Sequence, residues 1–208
     1  MTENKEKSMR IFKRIEPAIL AVVAFALLFS GCGSGAKAEA PDAQPAPSGI
    51  TPKTMADGLH AVMESDRVVY TRQVVNRLQQ EKVIKASEHW KDDKALPLPA
   101  QMFRMGSEMV AEKTKDFSYA LLSNWAINKQ NLPKTEVEKA GLEAVAAKQE
   151  PYYGEETLGG QKYFTAVYPD VAVAEACISC HNGHDDSPRT DFKMGETMGG
   201  VVVRIPMM

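Results

Sequence analysis

Two of the three cysteines in this 208-residue chain stand in one short run near its C-terminal end, Cys177-Ile178-Ser179-Cys180-His181. No other feature constrains the fold as much. C-x-x-C-H is the spacing at which two thiols add to the vinyl groups of a haem and the adjacent imidazole ligates the iron. Two thioether bonds hold the macrocycle edge against a short stretch of backbone, and the next residue is the nearest side chain able to reach the metal. A covalently held group needs no deep pocket, so the surrounding fold can be small.

Three other chemistries fit parts of this pattern. A redox C-x-x-C of the thioredoxin kind wants a helix N-terminus after a strand to lower the thiol pKa. Ala172–Ala176 offers such an approach, but His181-Asn182-Gly183-His184 is expected to break any helix. A zinc site built from Cys177, Cys180, His181 and His184 has suitable ligand types, yet zinc modules separate their ligand pairs by about a dozen residues or more. A Cys177–Cys180 disulfide closes a very small loop with poor geometry. Covalent haem is favoured provided that the chain is exported.

The N-terminus has the pattern of export. Lys5, Lys7, Arg10, Lys13 and Arg14 form a basic region ahead of the apolar stretch from Ala18 to Phe29, which is shorter than the ~20 residues a membrane span requires. Ser30-Gly31-Cys32 then reads as a lipobox, the signal for cleavage before a lipid-modified cysteine, although Phe29 stands where an aliphatic residue is usual. Residues 1–31 are thus expected to be a lipoprotein signal peptide, with Cys32 the lipidation site. The cysteine count closes on this reading: one takes lipid and two take haem, leaving no free thiol in an oxidising compartment.

Residues 32–52, rich in Ala, Gly, Ser and Pro, are expected to be a flexible tether that holds a domain off a membrane surface. Loss of residues 1–31 leaves 20 basic and 24 acidic side chains, a formal charge of −4. No basic stripe remains to recruit nucleic acid. Residues 53–208 suffice for one domain with one sizeable core.

Within that domain the longest helical pattern runs from about Lys53 to Gln80, with Met55, Leu59, Val62, Met63, Val69, Tyr70, Val74 and Leu78 at three- and four-residue steps. Val83-Ile84 reads as a turn of strand. The prolines of Ala95–Pro99 force extended backbone, and Pro99 then opens a second helix bearing Met102, Phe103, Met105, Met109 and Val110. Phe117–Ser123 reads as a strand, and Asn124–Pro133 as a polar loop. Thr135 begins an amphipathic helix to Lys148, with Glu138 as its reciprocal cap. Pro151–Thr157 and Gln161–Tyr168 form a hairpin about Leu158-Gly159-Gly160, and Met198–Ile205 a last strand beside it. Helices followed by an antiparallel sheet make an α+β domain.

Several runs resemble the PAS-like periplasmic c-type haem domain family: Asp66–Thr71, Leu96–Ala100, Ser123–Pro133 with Glu136, Tyr163–Pro169, Cys177–His181, Phe192–Glu196 and Gly199-Gly200-Val201. The resemblance spans most of residues 55–206. It departs at Ile127-Asn128-Lys129, where many members carry Arg-Asn-Pro. It implies a long N-terminal helix on an antiparallel sheet of about five strands, with haem c on one side. Its members are stand-alone monohaem cytochromes and sensor domains of receptors. Some take an iron ligand from the long helix, at times from a partner subunit, which keeps His60 and Met63 in view and makes a homodimer an expectation.

The sixth ligand, opposite His181, is not fixed by sequence. Met102 and His60 are the foremost candidates; Met105, His89, His184 and Met194 are weaker, because methionines at helical steps are commonly core filler and His184 is too near His181 to reach the opposite face. Tyr153, Tyr163, Tyr168 and Phe192 are expected against the porphyrin, and Arg67 and Lys193 are candidate propionate partners. A membrane-anchored periplasmic carrier of single electrons between redox proteins fits this set, since no kinase or nucleotide-binding region is present. The alternative is a redox or gas sensor read by a separate signalling partner. A peroxidase lacks a recognisable distal His/Arg pair.

Overall fold

The computed structural model describes residues 49–208. The expected signal peptide, Cys32 and most of the tether lie outside the described residues. Among the described residues no helix is long and apolar enough to cross a membrane.

Helix α1 (Pro52–Val69) starts where the Thr51 side chain accepts the Thr54 N–H and Pro52 supplies a preset φ in the first turn. Its inner face carries Met55, Ala56, Leu59 and Met63. Val62 and Val69, placed on the apolar stripe by spacing, are exposed instead. The helix runs on through a π-helical segment, Tyr70–Asn76, into a last turn, α2 (Arg77–Gln80). Tyr70 donates its hydroxyl to the Pro97 carbonyl at 2.8 Å and so ties this segment to the extended prolines.

Val83-Ile84 forms no strand. The short pairing falls later, between β1 (Ala86–Ser87) and β2 (Leu96–Pro97), which run parallel. Helix α3 (Pro99–Lys113) follows, with Phe103 buried and Met109 exposed. Strand β3 (Ser118–Leu122) comes next, then a 3-10 turn (Lys129–Asn131) and helix α4 (Glu136–Lys148). The expected reciprocal cap is present: Glu138 N–H donates to Thr135 Oγ1 at 3.1 Å, and Thr135 N–H to Glu138 Oε2 at 2.9 Å.

Strands β4 (Tyr152–Leu158) and β5 (Gln161–Val171) form the hairpin. Its two loop residues, Gly159 and Gly160, both have positive φ, the geometry that suits the twist of a two-residue turn. Helix α5 (Glu175–Gly183) and strand β6 (Thr197–Pro206) complete the chain. The order β3-β6-β5-β4 is antiparallel throughout. Among the described residues the sheet thus has four strands, not about five, because β1 and β2 pair with each other apart from it.

Alternation along the strands builds a core on each face. Ala166, Tyr168, Val201, Val203 and Ile205 point to one side, where α1 and α3 cover them with Ala56 and Phe103. Val167 and Val202 point to the other, beneath Leu142 and Val145 of α4. Gly141 permits that close approach, since a Cβ there would stand 2.5 Å from Val167 Cγ2. At the end of β5 the pairing with β6 slips between Asp170 and Val171. Such a bulge bends the strand and redirects the chain. Beyond it Ala172, Phe192 and Met198 form a third cluster, against which Cys177 and Ile178 pack.

Candidate functional site

Helix α5 holds the whole C-x-x-C-H run, against the expectation that His181-Asn182-Gly183 would end any helix. The reason lies in Asn182. Its side chain donates to the Phe192 carbonyl at 2.9 Å and accepts the Phe192 N–H at 3.0 Å. An asparagine engaged by a distant loop does not compete for its own helix backbone. Residues three and four apart share a helix face, so Cys177, Cys180 and His181 stand together on one side of α5. The two cysteines are free rather than bridged, Cys177 half-buried and Cys180 exposed.

Phe192 meets the His181 ring edge-on, with centroids 5.9 Å apart, and its other neighbour is the Trp125 ring, also edge-on, 5.7 Å from the Phe192 centroid. His181 Nδ1 is buried without a hydrogen-bond partner. Burial holds the His181 imidazole below its ordinary pKa, with Asp170 opposing this and His184 adding to it. The ring is therefore kept in the neutral form that binds metals. The Cys180 thiol is pushed up by the packing around its sulfur and by the Glu88 and Cys177 charges.

His60 projects from the inner face of α1. Its ring lies flat on Tyr168, centroids 3.9 Å apart and planes at 9°. Beneath them the Tyr153 and Tyr168 hydroxyls both donate to Asp57 Oδ1, at 2.9 and 2.7 Å, and Lys53 Nζ reaches Asp57 Oδ2 at 2.6 Å. A cleft of about 470 Å³ opens alongside, lined by His60, Glu64, Tyr168 and Val171. Burial lowers the His60 pKa, Glu64, Asp57 and Asp170 pulling the other way and Arg67 adding to the drop. Two neutral imidazoles, one on α1 and one on α5, thus share the field of one carboxylate, Asp170.

The remaining candidates disperse. Met102 and Met105 are partly buried on α3, Met63 packs into the sheet core, and Met194 and His89 are exposed. His184 Nδ1 accepts the Asp186 N–H at 3.0 Å, and its Nε2 lies 3.5 Å from Glu88. Among the described residues no three His, Cys, Asp or Glu side chains converge to hold a bare metal ion. Of the expected aromatics, Tyr153 and Tyr168 belong to the α1 face and Phe192 abuts His181, while Tyr163 is partly buried in β5. Arg67 is paired with Asp170 of the chain itself, and Lys193 is exposed. Asp170 went unmarked in the sequence; the parity of Ala166, Tyr168 and Asp170 along β5 was the available sign that it faces α1.

The family model described as Tll0287-like matches residues 50–206. The chain belongs to this family. No curated protein matches it. Among solved structures, that of the cyanobacterial haem protein Tll0287 aligns over 76% of this chain and 98% of its own, with a TM-score of 0.50 and 11% identity. At that identity the likeness speaks to the fold alone, a mixed helix and sheet domain. The Tll0287-like match covers every element from α1 to β6, and so both imidazoles and both thiols.

Proposed function

We propose that this Tll0287-like protein is a monohaem c-type cytochrome on a PAS-like domain, which passes single electrons between redox proteins. Cys177 and Cys180 would hold the haem through thioether bonds, and His181 and His60 would be the residues that bind its iron. The observation that carries this reading is α5 itself, which presents two free thiols and a neutral imidazole on one face, with His181 Nδ1 buried and unpartnered. The structural likeness to Tll0287, a cyanobacterial haem protein, supports the choice of group. Haem supplies a one-electron ferric/ferrous couple.

The chain's own residues do the rest. Tyr168 fixes the His60 ring by stacking, and Phe192, itself backed by Trp125, covers one edge of His181. The Asn182–Phe192 pair fixes the orientation of α5. His60 is preferred over Met102 because His60 and His181 both lie within reach of Asp170, whereas on α3 it is Phe103, not Met102, that is buried beneath α1. Export by residues 1–31 and lipidation at Cys32 belong to the same proposal, which places the domain in the periplasm on the tether of residues 32–52.

Optical spectra of oxidised and reduced protein, with and without carbon monoxide, test this reading. A six-coordinate haem that is inert to carbon monoxide in the wild type and in Met102→Ala, but reactive in His60→Ala, is the expected result. Rapid carbon monoxide binding by the wild type would instead favour a gas sensor.

A further inference from the structure

One pair of charges remains that neither the thioether chemistry nor the histidines employ. Arg67 and Asp170, 103 positions apart in sequence, form an ion pair whose side chains are each only 19% exposed. Arg67 lies two helical turns beyond His60 on α1, so the two share a face. Its guanidinium also lies over the Phe103 ring, 5.7 Å from the centroid. Asp170 occupies the strand position two beyond Tyr168, the platform of His60, and stands at the β5 bulge seven residues ahead of Cys177. The pair therefore sits where α1, β5 and the approach to α5 converge.

Its charges reach the ligands on both sides. Asp170 acts on His60 and on His181, and Arg67 acts on His60. A ferric haem carries one more positive charge than a ferrous haem. A lone carboxylate nearby therefore favours the oxidised form, and a lone guanidinium the reduced form. Paired, they largely cancel. Removing a partner from a buried pair leaves the other charge uncompensated.

We propose that Arg67 and Asp170 form a matched charge pair in which each charge keeps the other from displacing the reduction potential of the haem that Cys177, Cys180 and His181 would hold. The proposal rests on the haem reading above. Arg67 and Asp170 act as positioning charges, touching neither iron nor thioether, and their expected signature is a pair of opposite shifts that annul each other. Such antisymmetry separates electrostatics from packing, since loss of packing moves both single variants without regard to sign.

Optical redox titrations at pH 8 of the full-length haem-loaded protein test this. Asp170→Asn is expected to lower the oxidised-to-reduced ratio at a fixed ambient potential by on the order of tenfold, and Arg67→Gln to raise it by a similar factor. The double variant should return to near the wild-type ratio. Arg67→Lys, which keeps the charge, should stay near wild type even where thermal melts show lower stability, and Arg67→Met, which also removes the charge, stands in if Arg67→Gln fails to load haem. Single-variant shifts of the same sign, a double variant equal to the larger single shift, or an Arg67→Lys shift as large as that of Arg67→Gln would each overturn the proposal. A wild-type protein without a Soret band overturns the haem reading and this inference with it. A wild-type band with unmoved potentials overturns this inference alone.

Discussion

On the α4 face of the sheet, Arg204 reaches Glu138 at 2.7 Å and Glu156 at 2.6 Å, and Thr165 donates to Glu156 at 2.8 Å. At the α5 end, Arg67 is paired with Asp170. Both arrangements bury an arginine between a helix and a strand. They differ in their surroundings. On the α4 face Glu138 also caps its own helix through the Thr135 N–H, so the charges form a staple joining α4, β4 and β6, and no histidine takes part. At the α5 end the ion pair stands beside two neutral imidazoles and two free thiols, with His181 Nδ1 unpartnered. Each region leaves one buried atom unpartnered, Glu156 Oε2 on the α4 face and His181 Nδ1 at the α5 end, and what sets the α5 end apart is the histidines and thiols beside its ion pair.

The contrast breaks most directly at Arg204. Arg204→Ala leaves two carboxylates buried without their cation and is expected to lower stability by about 3–5 kcal/mol, measured by urea denaturation. The protein that still folds should load haem as the wild type does. Equal loss of haem loading would mean that the two regions are one unit.

A smaller effect is expected at the helix start. Thr135→Ala removes the hydroxyl that accepts the Glu138 N–H, for a loss of about 1 kcal/mol. Arg204 still holds Glu138, so the expected change is no larger than that of a single cap in the same denaturation series.

The smallest effect concerns acid. Burial would raise the Glu156 carboxyl, but the Thr135 hydroxyl, the Arg204 guanidinium and the Thr165 hydroxyl outweigh it and hold the pKa below its ordinary value of 4.5. The unfolded chain therefore takes up this proton first as pH falls. The contribution of Glu156 is fully present above pH 4.5 and is lost below it, through the folded-state pKa. Urea midpoints from pH 7 to pH 3 should decline less steeply in Glu156→Gln than in the wild type.

What could be read from the sequence follows the range of the forces involved. The α4 cap, the Gly159-Gly160 turn, the Pro99 helix start and the β6 partner of the hairpin are local signals, and each stands in the fold. Spacing alone placed Val62 and Val69 inside, yet Ala56, a small residue, marks the face of α1 that meets the sheet. The reach of α5 through His181 was hidden because Asn182 answers to Phe192, ten residues on. The fifth strand was an overcount: β1 and β2 find only each other. Cys177, Cys180 and His181 were legible as a spacing. Their setting among Asp170, Arg67 and Tyr168 was not, because those contacts join positions about a hundred apart.

The most direct test of the whole account is the intact mass and visible spectrum of the full-length chain, purified from a host that matures c-type cytochromes. The account predicts one covalently added haem and a Soret band, both lost in Cys177→Ser/Cys180→Ser. Polypeptide mass without haem and no Soret band would contradict it.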